Sequence, residues 1–247
     1  MKITVLGSGG WIPTDKRETC SYIVEMDNNL IILDAGTGIS RLENYQNILK
    51  KYKTINIILS HYHLDHITGL SFLPLWLSNH SINIWAPSKK YYKQSSKKIL
   101  KTFTSFPYFS KSIDIFSSEV NIYDYDENGF NISNTKIMIN LQKHSAPSFG
   151  ITLGDFLHYA TDTEVLKSTF KIANNVKILL HECWEVENNK SNHSSLDQII
   201  KMSKKCKNTK IGLIHINPSW DKTKFKEVEN ILKNNNIFIT KDKMEII

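Results

Sequence analysis

Ser60-His61-Tyr62-His63-Leu64-Asp65-His66 comes straight after Ile55-Asn56-Ile57-Ile58-Leu59, and this junction decides how the chain reads. The apolar run has the length and β-branched content of a buried strand, so the histidines fall where that strand stops and the chain turns. If strand geometry persists for two more residues, His61 and His63 project from the same side and can chelate one ion. Asp65 and His66 then lie just past the strand end and can point at a second ion. Imidazole and carboxylate donors with no thiolate beside them suit zinc, manganese or ferrous iron better than a softer metal. A solvated histidine-rich turn would look the same in isolation, but matching ligands appear later in the chain.

The bounds around this stretch are those of an ordinary globular protein. The 247 residues, 40% hydrophobic and 22% charged, can bury a substantial core and suggest one domain over residues 1–247. Met1-Lys2-Ile3-Thr4-Val5-Leu6 enters a strand pattern directly, and no apolar run is long enough to span a bilayer, so a cytoplasmic chain without a membrane partner is expected. Cys20, Cys183 and Cys206 are scattered and odd in number, which fits a reducing compartment and no disulfide framework. The formal charge is +7, and residues 67–112 hold seven lysines (Lys89, Lys90, Lys93, Lys97, Lys98, Lys101 and Lys111) and no acidic residue. Such a patch attracts phosphate-bearing partners, although a solvated helix face explains any single lysine as well.

Along the chain, Ile3–Leu6 ends at Gly7-Ser8-Gly9-Gly10, which lacks the GK[ST] ending of a phosphate loop and reads as a tight turn. Ser21–Met26 and Asn29–Asp34 form a hairpin about Asp27-Asn28, and a helix over Ile39–Tyr52 leads into the histidine strand. Ser81–Ala86 is a strand, residues 88–104 read as a basic helix, and Phe103, Phe106, Tyr108 and Phe109 crowd the stretch after it, with core packing as their default role. Strands resume with Ile137–Leu141, Phe149–Leu153 and Leu157–Ala160, the last two turning at Gly154-Asp155. A helix over Glu164–Asn174, strand Val176–Leu180, a helix capped at Ser194-Ser195, strand Lys210–Ile214, a last helix and two short strands complete the chain.

Five strands therefore end in a metal-capable residue: His61, His144, Asp162, His181 and His215. The order HxHxDH, then His, Asp and His resembles the metallo-β-lactamase fold superfamily, whose α/β four-layer αββα sandwich holds one or two metals at one edge. The resemblance implies that His61, His63 and His144 bind a first divalent ion, that Asp65, His66 and His215 bind a second, and that Asp162 bridges them. Zinc is the expected metal, with manganese as an alternative. A carboxylate at Asp162, where true lactamases use cysteine, argues against lactam hydrolysis. Two ions about 3.5–4 Å apart can share a hydroxide of lowered pKa and clamp the oxygens of a phosphoryl displacement.

Glu182-Cys183-Trp184 with Asn192-His193-Ser194-Ser195 is similar to the stretch in ribonuclease Z and its smaller relatives where a Glu-containing turn precedes a His-Ser/Thr pair opening a helix. By that likeness His193 is the general acid and Glu182 its orienting partner, which makes His193, Glu182 and the metal ligand Asp65 the expected catalytic residues. His181, His158 and His80 have no matching role. Ribonuclease Z grips tRNA with a long arm between the equivalents of His144 and Asp162; here 17 residues separate them and a hairpin uses them up. The glutamate it usually carries near residue 36 is Thr37.

Armless relatives match better. The chain resembles the phosphoribosyl cyclic phosphodiesterase of phosphonate breakdown in His61 to His66 with Gly69-Leu70, Phe149-Gly150, Asp162-Thr163, Asn192-His193 and Met244-Glu245-Ile246. It equally resembles small cyclic-nucleotide phosphodiesterases of bacteria and phages, including those that destroy cyclic-nucleotide immune signals. Both open a cyclic phosphodiester by the reaction a two-metal hydroxide would perform. The expectation is therefore a small nucleotide substrate, a homodimer, no stable nucleic-acid partner, and lysines and aromatics of residues 89–109, of the same or a second subunit, holding base and sugar. Thioester or lactone hydrolysis uses the same ligands but has no need of His193. A module that only sequesters a ligand could also keep the metal pocket.

Overall fold

The hairpin expected at Asp27-Asn28 forms in the computed structural model, with φ at 50° and 62°, the positive values a two-residue turn between antiparallel strands demands. The structure describes residues 1–117, 119–187, 192–206, 208–233 and 235–247. One sheet is built from β1 (Lys2–Gly7), β2 (Ser21–Met26), β3 (Asn29–Leu33), β4 (Thr54–Ile58), β5 (Ser81–Pro87) and β6 (Glu119–Tyr125). The other holds β7 (Phe130–Ile132), β8 (Thr135–Leu141), β9 (Phe149–Leu153), β10 (Leu157–Ala160), β11 (Ile178–Glu182), β12 (Lys210–Ile214) and β13 (Ile237–Ile239). β14 (Glu245–Ile246) returns to pair with β1, making both sheets seven-stranded.

The two sheets follow one plan. Each begins antiparallel and turns parallel halfway, at β3 to β6 and at β10 to β13. Ile3, Val24, Ile31, Leu33 and Ile58 of the first sheet meet Ile137, Phe149, Ile151, Leu180 and Ile214 of the second in a shared core. The opposite face of the first sheet buries Ile23, Ile32, Ile57 and Ile84 under helical residues such as Leu42, Leu70, Leu73 and Leu100. The outer face of the second buries Leu179, Ile211 and Leu213 under Phe170, Leu196, Ile199 and Val228. Three apolar layers thus separate helix, sheet, sheet and helix, the expected αββα order.

Three helices differ from expectation. Residues 39–52 form a 3-10 helix, Thr37–Tyr45, and a single α turn, Gln46–Leu49. The segment carries Ser40, Asn44, Tyr45 and Asn47, residues with weak helix preference that tolerate the tighter form. The basic helix splits into Lys89–Tyr92 and Ser96–Phe103, because Lys93 turns left-handed (φ 61°) and Ser95 caps a fresh start by accepting from Lys98 N–H. The helix expected from Glu164 begins at Lys167, leaving Asp162, whose φ is 45°, and Thr163-Glu164 outside regular structure at the sheet edge. Of the aromatic stretch, Phe103 and Phe109 pack against the first outer core, while Phe106 and Tyr108 are exposed.

Candidate metal centre

Parallel strands place the residues that follow them at one edge of the sandwich, outside their carboxyl ends, where α/β architectures bind ligands. Asp34 follows β3, His61 follows β4, Asp162 follows β10, Glu182 ends β11 and His215 follows β12. His63 is extended (φ −63°, ψ 148°), and the one-turn helix Leu64–Ile67 then carries Asp65 and His66. The HxHxDH stretch is therefore a strand exit that becomes a helical turn, which is how ligands so close in sequence reach two positions.

The seven expected ligands converge. His61, His63, His144 and Asp162 offer donor atoms within 4.8 Å of one another, as do Asp65, His66 and His215. Asp162 splits between the sets. Its Oδ2 lies 3.3 Å from His144 Nε2 and 3.7 Å from His61 Nε2, while Oδ1 lies 3.1 Å from the Nε2 atoms of both His66 and His215. Asp65 Oδ2 is 3.2 Å from His215 Nε2 and 3.4 Å from His66 Nε2, and it accepts from Trp11 N–H at 2.8 Å. Cys20, Cys183 and Cys206 are buried elsewhere, so the donor set is nitrogen and oxygen.

Neighbouring groups aim the imidazoles. Ser60 Oγ donates to Asp34 at 2.8 Å, so the 3.0 Å contact from His61 Nδ1 must be a ring N–H donating to Ser60, which leaves Nε2 for the site. His66 Nδ1 donates to Asp34 at 2.7 Å and His144 Nδ1 donates to Asn192 C=O at 3.2 Å, with the same consequence. Asp34 is wholly buried and also accepts from Ser60 N–H and from Tyr159 O–H, both at 2.6 Å. Sequence reasoning placed it only at the end of the second hairpin strand. Its signal was there, since an acidic residue ends a buried strand as the ligands do.

Burial opposes charge on His66 and His215, yet the facing carboxylates, Asp65, Asp162 and Asp34 for the first and Asp162 and Asp65 for the second, raise both above the ordinary imidazole value. His61, His63 and His144 are lowered, chiefly by burial. Burial would likewise raise Asp65 and Asp162, but the surrounding histidines hold both far below the carboxylate range. His61 and His66 present buried Nε2 atoms with no hydrogen-bond partner. A divalent cation fits this set: it would use those nitrogens, displace the protons on His66 and His215, and balance two ionised carboxylates.

Glu182 and His193 also meet here. His193 Nδ1 lies 2.9 and 3.2 Å from the Glu182 oxygens, and Thr163 N–H donates to Glu182 Oε1. The carboxylate can only accept, so Nδ1 carries the hydrogen and Nε2 is the ring's other working atom. Burial opposes a charged His193, but the Glu182 bond outweighs it and raises its pKa. Trp184 stacks on the ring at 4.8 Å. The open cavity above is about 310 Å³, lined among others by Trp11, His63, His144, Ser145, Trp184 and His193. Within one chain no residue from 89–109 lines it among the described residues; Lys90 and Lys101 are paired with Glu127 and Asp114. His181, His158 and His80 lie outside the cluster. His181 is inside β11 against Phe170, His158 bonds Thr152 Oγ1, and His80 bonds Tyr52 C=O.

Known proteins are similar to this chain in sequence and fold. The ribonuclease Z of Methanococcus aeolicus is 26% identical across 99% of this chain and 97% of its own length, over 321 aligned positions, more than the chain has residues. The metallo-β-lactamase fold protein YhfI of Bacillus subtilis superposes with a TM-score of 0.76 at 17% identity, covering 99% of this chain and 98% of its own. A diphosphatase of the PhnP family gives 0.73 at 18%, covering 100% and 97%. Relatives and neighbours are hydrolases of the metallo-β-lactamase fold, and the chain lies in their ribonuclease Z-like branch. The family model described as Anti-Pycsar protein Apyc1 matches residues 1–243, so the chain belongs to that family.

Proposed function

We propose that the chain is a binuclear metal-dependent phosphodiesterase that opens a small cyclic phosphodiester, a cyclic nucleotide before a ribosyl cyclic phosphate. The observation that carries this reading is the His193–Glu182 pair beside two ligand sets that share Asp162. Family membership fits cyclic-nucleotide hydrolysis, and the PhnP-family neighbour fits phosphate-ester chemistry. The cavity stands at the small end of the roughly 300–1,000 Å³ range of ligand sites, which suits a mononucleotide.

His61, His63, His144 and Asp162 would hold one ion and Asp65, His66, His215 and Asp162 the other, zinc before manganese on donor type. When bound, the ions would lower the pKa of a water and neutralise charge on the phosphoryl oxygens. His193 Nε2 protonates the departing ribose oxygen, and Glu182 keeps the ring oriented and charged through Nδ1. Trp11 N–H fixes Asp65. The Trp11 ring, 67% exposed, and Trp184 offer faces for a base. Residues 1–247 act as one domain, and Leu64, Leu75, Phe106 and Tyr108, all exposed, support a homodimer.

The test is hydrolysis of 2′,3′- and 3′,5′-cyclic nucleotides, a ribosyl cyclic phosphate, a 3′-extended tRNA and a glutathione thioester by zinc- or manganese-loaded protein, with His63→Ala as control. Metal-dependent opening of a cyclic phosphate with tRNA untouched is expected. Cleavage of tRNA alone would favour the ribonuclease Z reading that the M. aeolicus likeness supports, and thioester cleavage alone would sink both. On the accepted cyclic phosphate, His193→Ala should lose about 10²–10⁴-fold in rate.

A further inference from the structure

Asp162 and Thr163 are consecutive, and between them they reach both halves of the chemistry. Thr163 is wholly buried and all its polar groups are engaged. Its N–H donates to Glu182 Oε1, and its C=O accepts from Ser194 Oγ at 2.6 Å, one residue from His193. Its Oγ1 lies 2.9 Å from Gln142 Oε1 and 2.8 Å from Glu164 C=O. One residue therefore anchors the carboxylate that aims His193 and the residue after His193. It does so from the position next to the carboxylate that both ligand sets share.

Gln142 lies beneath this junction. Its Oε1 also accepts from Thr169 Oγ1 at 3.4 Å, and its backbone N–H bonds Ser148 C=O at 2.8 Å. Its Nε2 is buried without a hydrogen-bond partner, and it sits close against Gly150, where an added Cβ would meet it at 2.4 Å. An unsatisfied buried amide costs about 1–3 kcal/mol, which an apolar side chain of similar reach would avoid. Residues kept against such a local cost concentrate where function needs them. What Gln142 does contribute is the acceptor for Thr163.

We propose that Thr163, held by Gln142, is a positioning residue that keeps the His193–Glu182 pair in register with Asp162. This rests on the reading of His193 as the acid. With Oε1 drawn to Thr163 N–H, Oε2 is the oxygen that faces His193 Nδ1 at 2.9 Å. When the Thr163 side chain loses its anchor, the Thr163 N–H is displaced while Asp162 stays held among its histidines, the Glu182 carboxylate rotates and His193 turns from the leaving oxygen. Misplacement on the ångström scale costs on the order of 10²-fold.

Two substrates separate this role from general support. A cyclic nucleotide expels a ribose oxygen that needs a proton; bis(p-nitrophenyl) phosphate expels a phenolate that does not. Thr163→Val and Gln142→Leu should each lose about 10–100-fold in kcat on the first with KM little changed, and less than about threefold on the second. Thr163→Ser and Gln142→Glu, which keep the hydroxyl and an acceptor oxygen, should recover most of the rate. Metal content should match that of the parent in all four. Equal losses on both substrates, or no loss on either, overturn the inference. If Thr163→Val melts early, Gln142→Leu decides, because deleting an unsatisfied amide should leave the melting temperature near that of the parent. His193→Ala in parallel distinguishes the failures. Should it leave cyclic-nucleotide turnover intact, the acid reading is wrong; should it alone show the selective loss, the acid reading stands and the positioning role falls.

Discussion

His158 and His181 are as deeply buried as His66 and His215, yet the two pairs live in opposite electrostatic worlds. Under the helix Lys167–Ala173, burial dominates. His158 is pushed down to about 3, with His181 adding to the effect, and His181 is itself lowered. At the sheet edge, carboxylates at 2.7 to 3.4 Å reverse the sign and raise His66 and His215. His158 and His181 also present unpartnered Nε2 atoms, as His61 and His66 do. An orphaned imidazole nitrogen is therefore no mark of a ligand by itself. What makes the edge a candidate metal site is convergence: strands of both sheets stop there and deliver carboxylates among the rings.

The comparison breaks most visibly at Asp162, the group that both ligand sets share. Asp162→Asn removes the charge that balances His66, His61, His144 and His215. Turnover should fall by several kcal/mol of transition-state stabilisation, on the order of 10⁴-fold, with metal content reduced. His158→Leu, an equally buried change, should keep both metal and turnover close to the parent. Elemental analysis and rates on the accepted substrate check the pair. Loss of metal from His158→Leu would mean that burial under the helix, and not convergence at the edge, governs the site.

Acid titration of the metal-free protein sharpens the same contrast. His158 is neutral in the fold down to about pH 3 but protonates near 6.5 when unfolded, so between these values the unfolded chain binds the extra proton. Stability from this residue is complete above 6.5 and is lost as pH falls, by on the order of 5 kcal/mol once pH is below about 3. His66 and His215 run the other way. Their raised folded values give stability that is complete below 6.5 and lost as pH rises through those values. Melting temperature against pH should show an acid limb that His158→Leu flattens; parallel curves for parent and variant would refute the assignment. Metal affinity should weaken as pH falls, because His66 and His215 must give up protons to bind.

The fold was legible because local and long-range signals agreed. Apolar runs of strand length, Asp27-Asn28 and Gly154-Asp155 between them, and metal-capable residues at strand ends all pointed to one layered sandwich. The residues expected as ligands come together because most of them stand where buried strands stop, whereas the pairing of His193 with Glu182 was expected from the likeness to the ribonuclease Z stretch alone. What escaped were features set by tertiary contact. Lys93 breaks a helix that its neighbours would continue, and the cavity wall comes from Trp11 and Trp184, which sequence spacing does not bring together. Gln142 carries no motif and Thr163 entered only as the neighbour of Asp162; the hydrogen bonds from Thr163 to Glu182 and to Gln142 reveal what they support.

Asp34 was missed for a different reason, since its chemistry lies one shell behind the ligands, and it yields the smallest and most specific effect. Its carboxylate accepts from His66 Nδ1, Ser60 and Tyr159. Asp34→Asn keeps the size but weakens the hold on the His66 and His61 tautomers. Outer-shell changes of this kind cost about 10–100-fold in metal affinity or activity. The loss should fall on the ion held by His66 and spare the one held by His63 and His144, so a competitive chelator titration should resolve one weakened step of two. His61 reaches Asp34 only through Ser60, so its ion should weaken by less. Equal weakening of both steps would show that Asp34 sets the whole edge and does not act through His66.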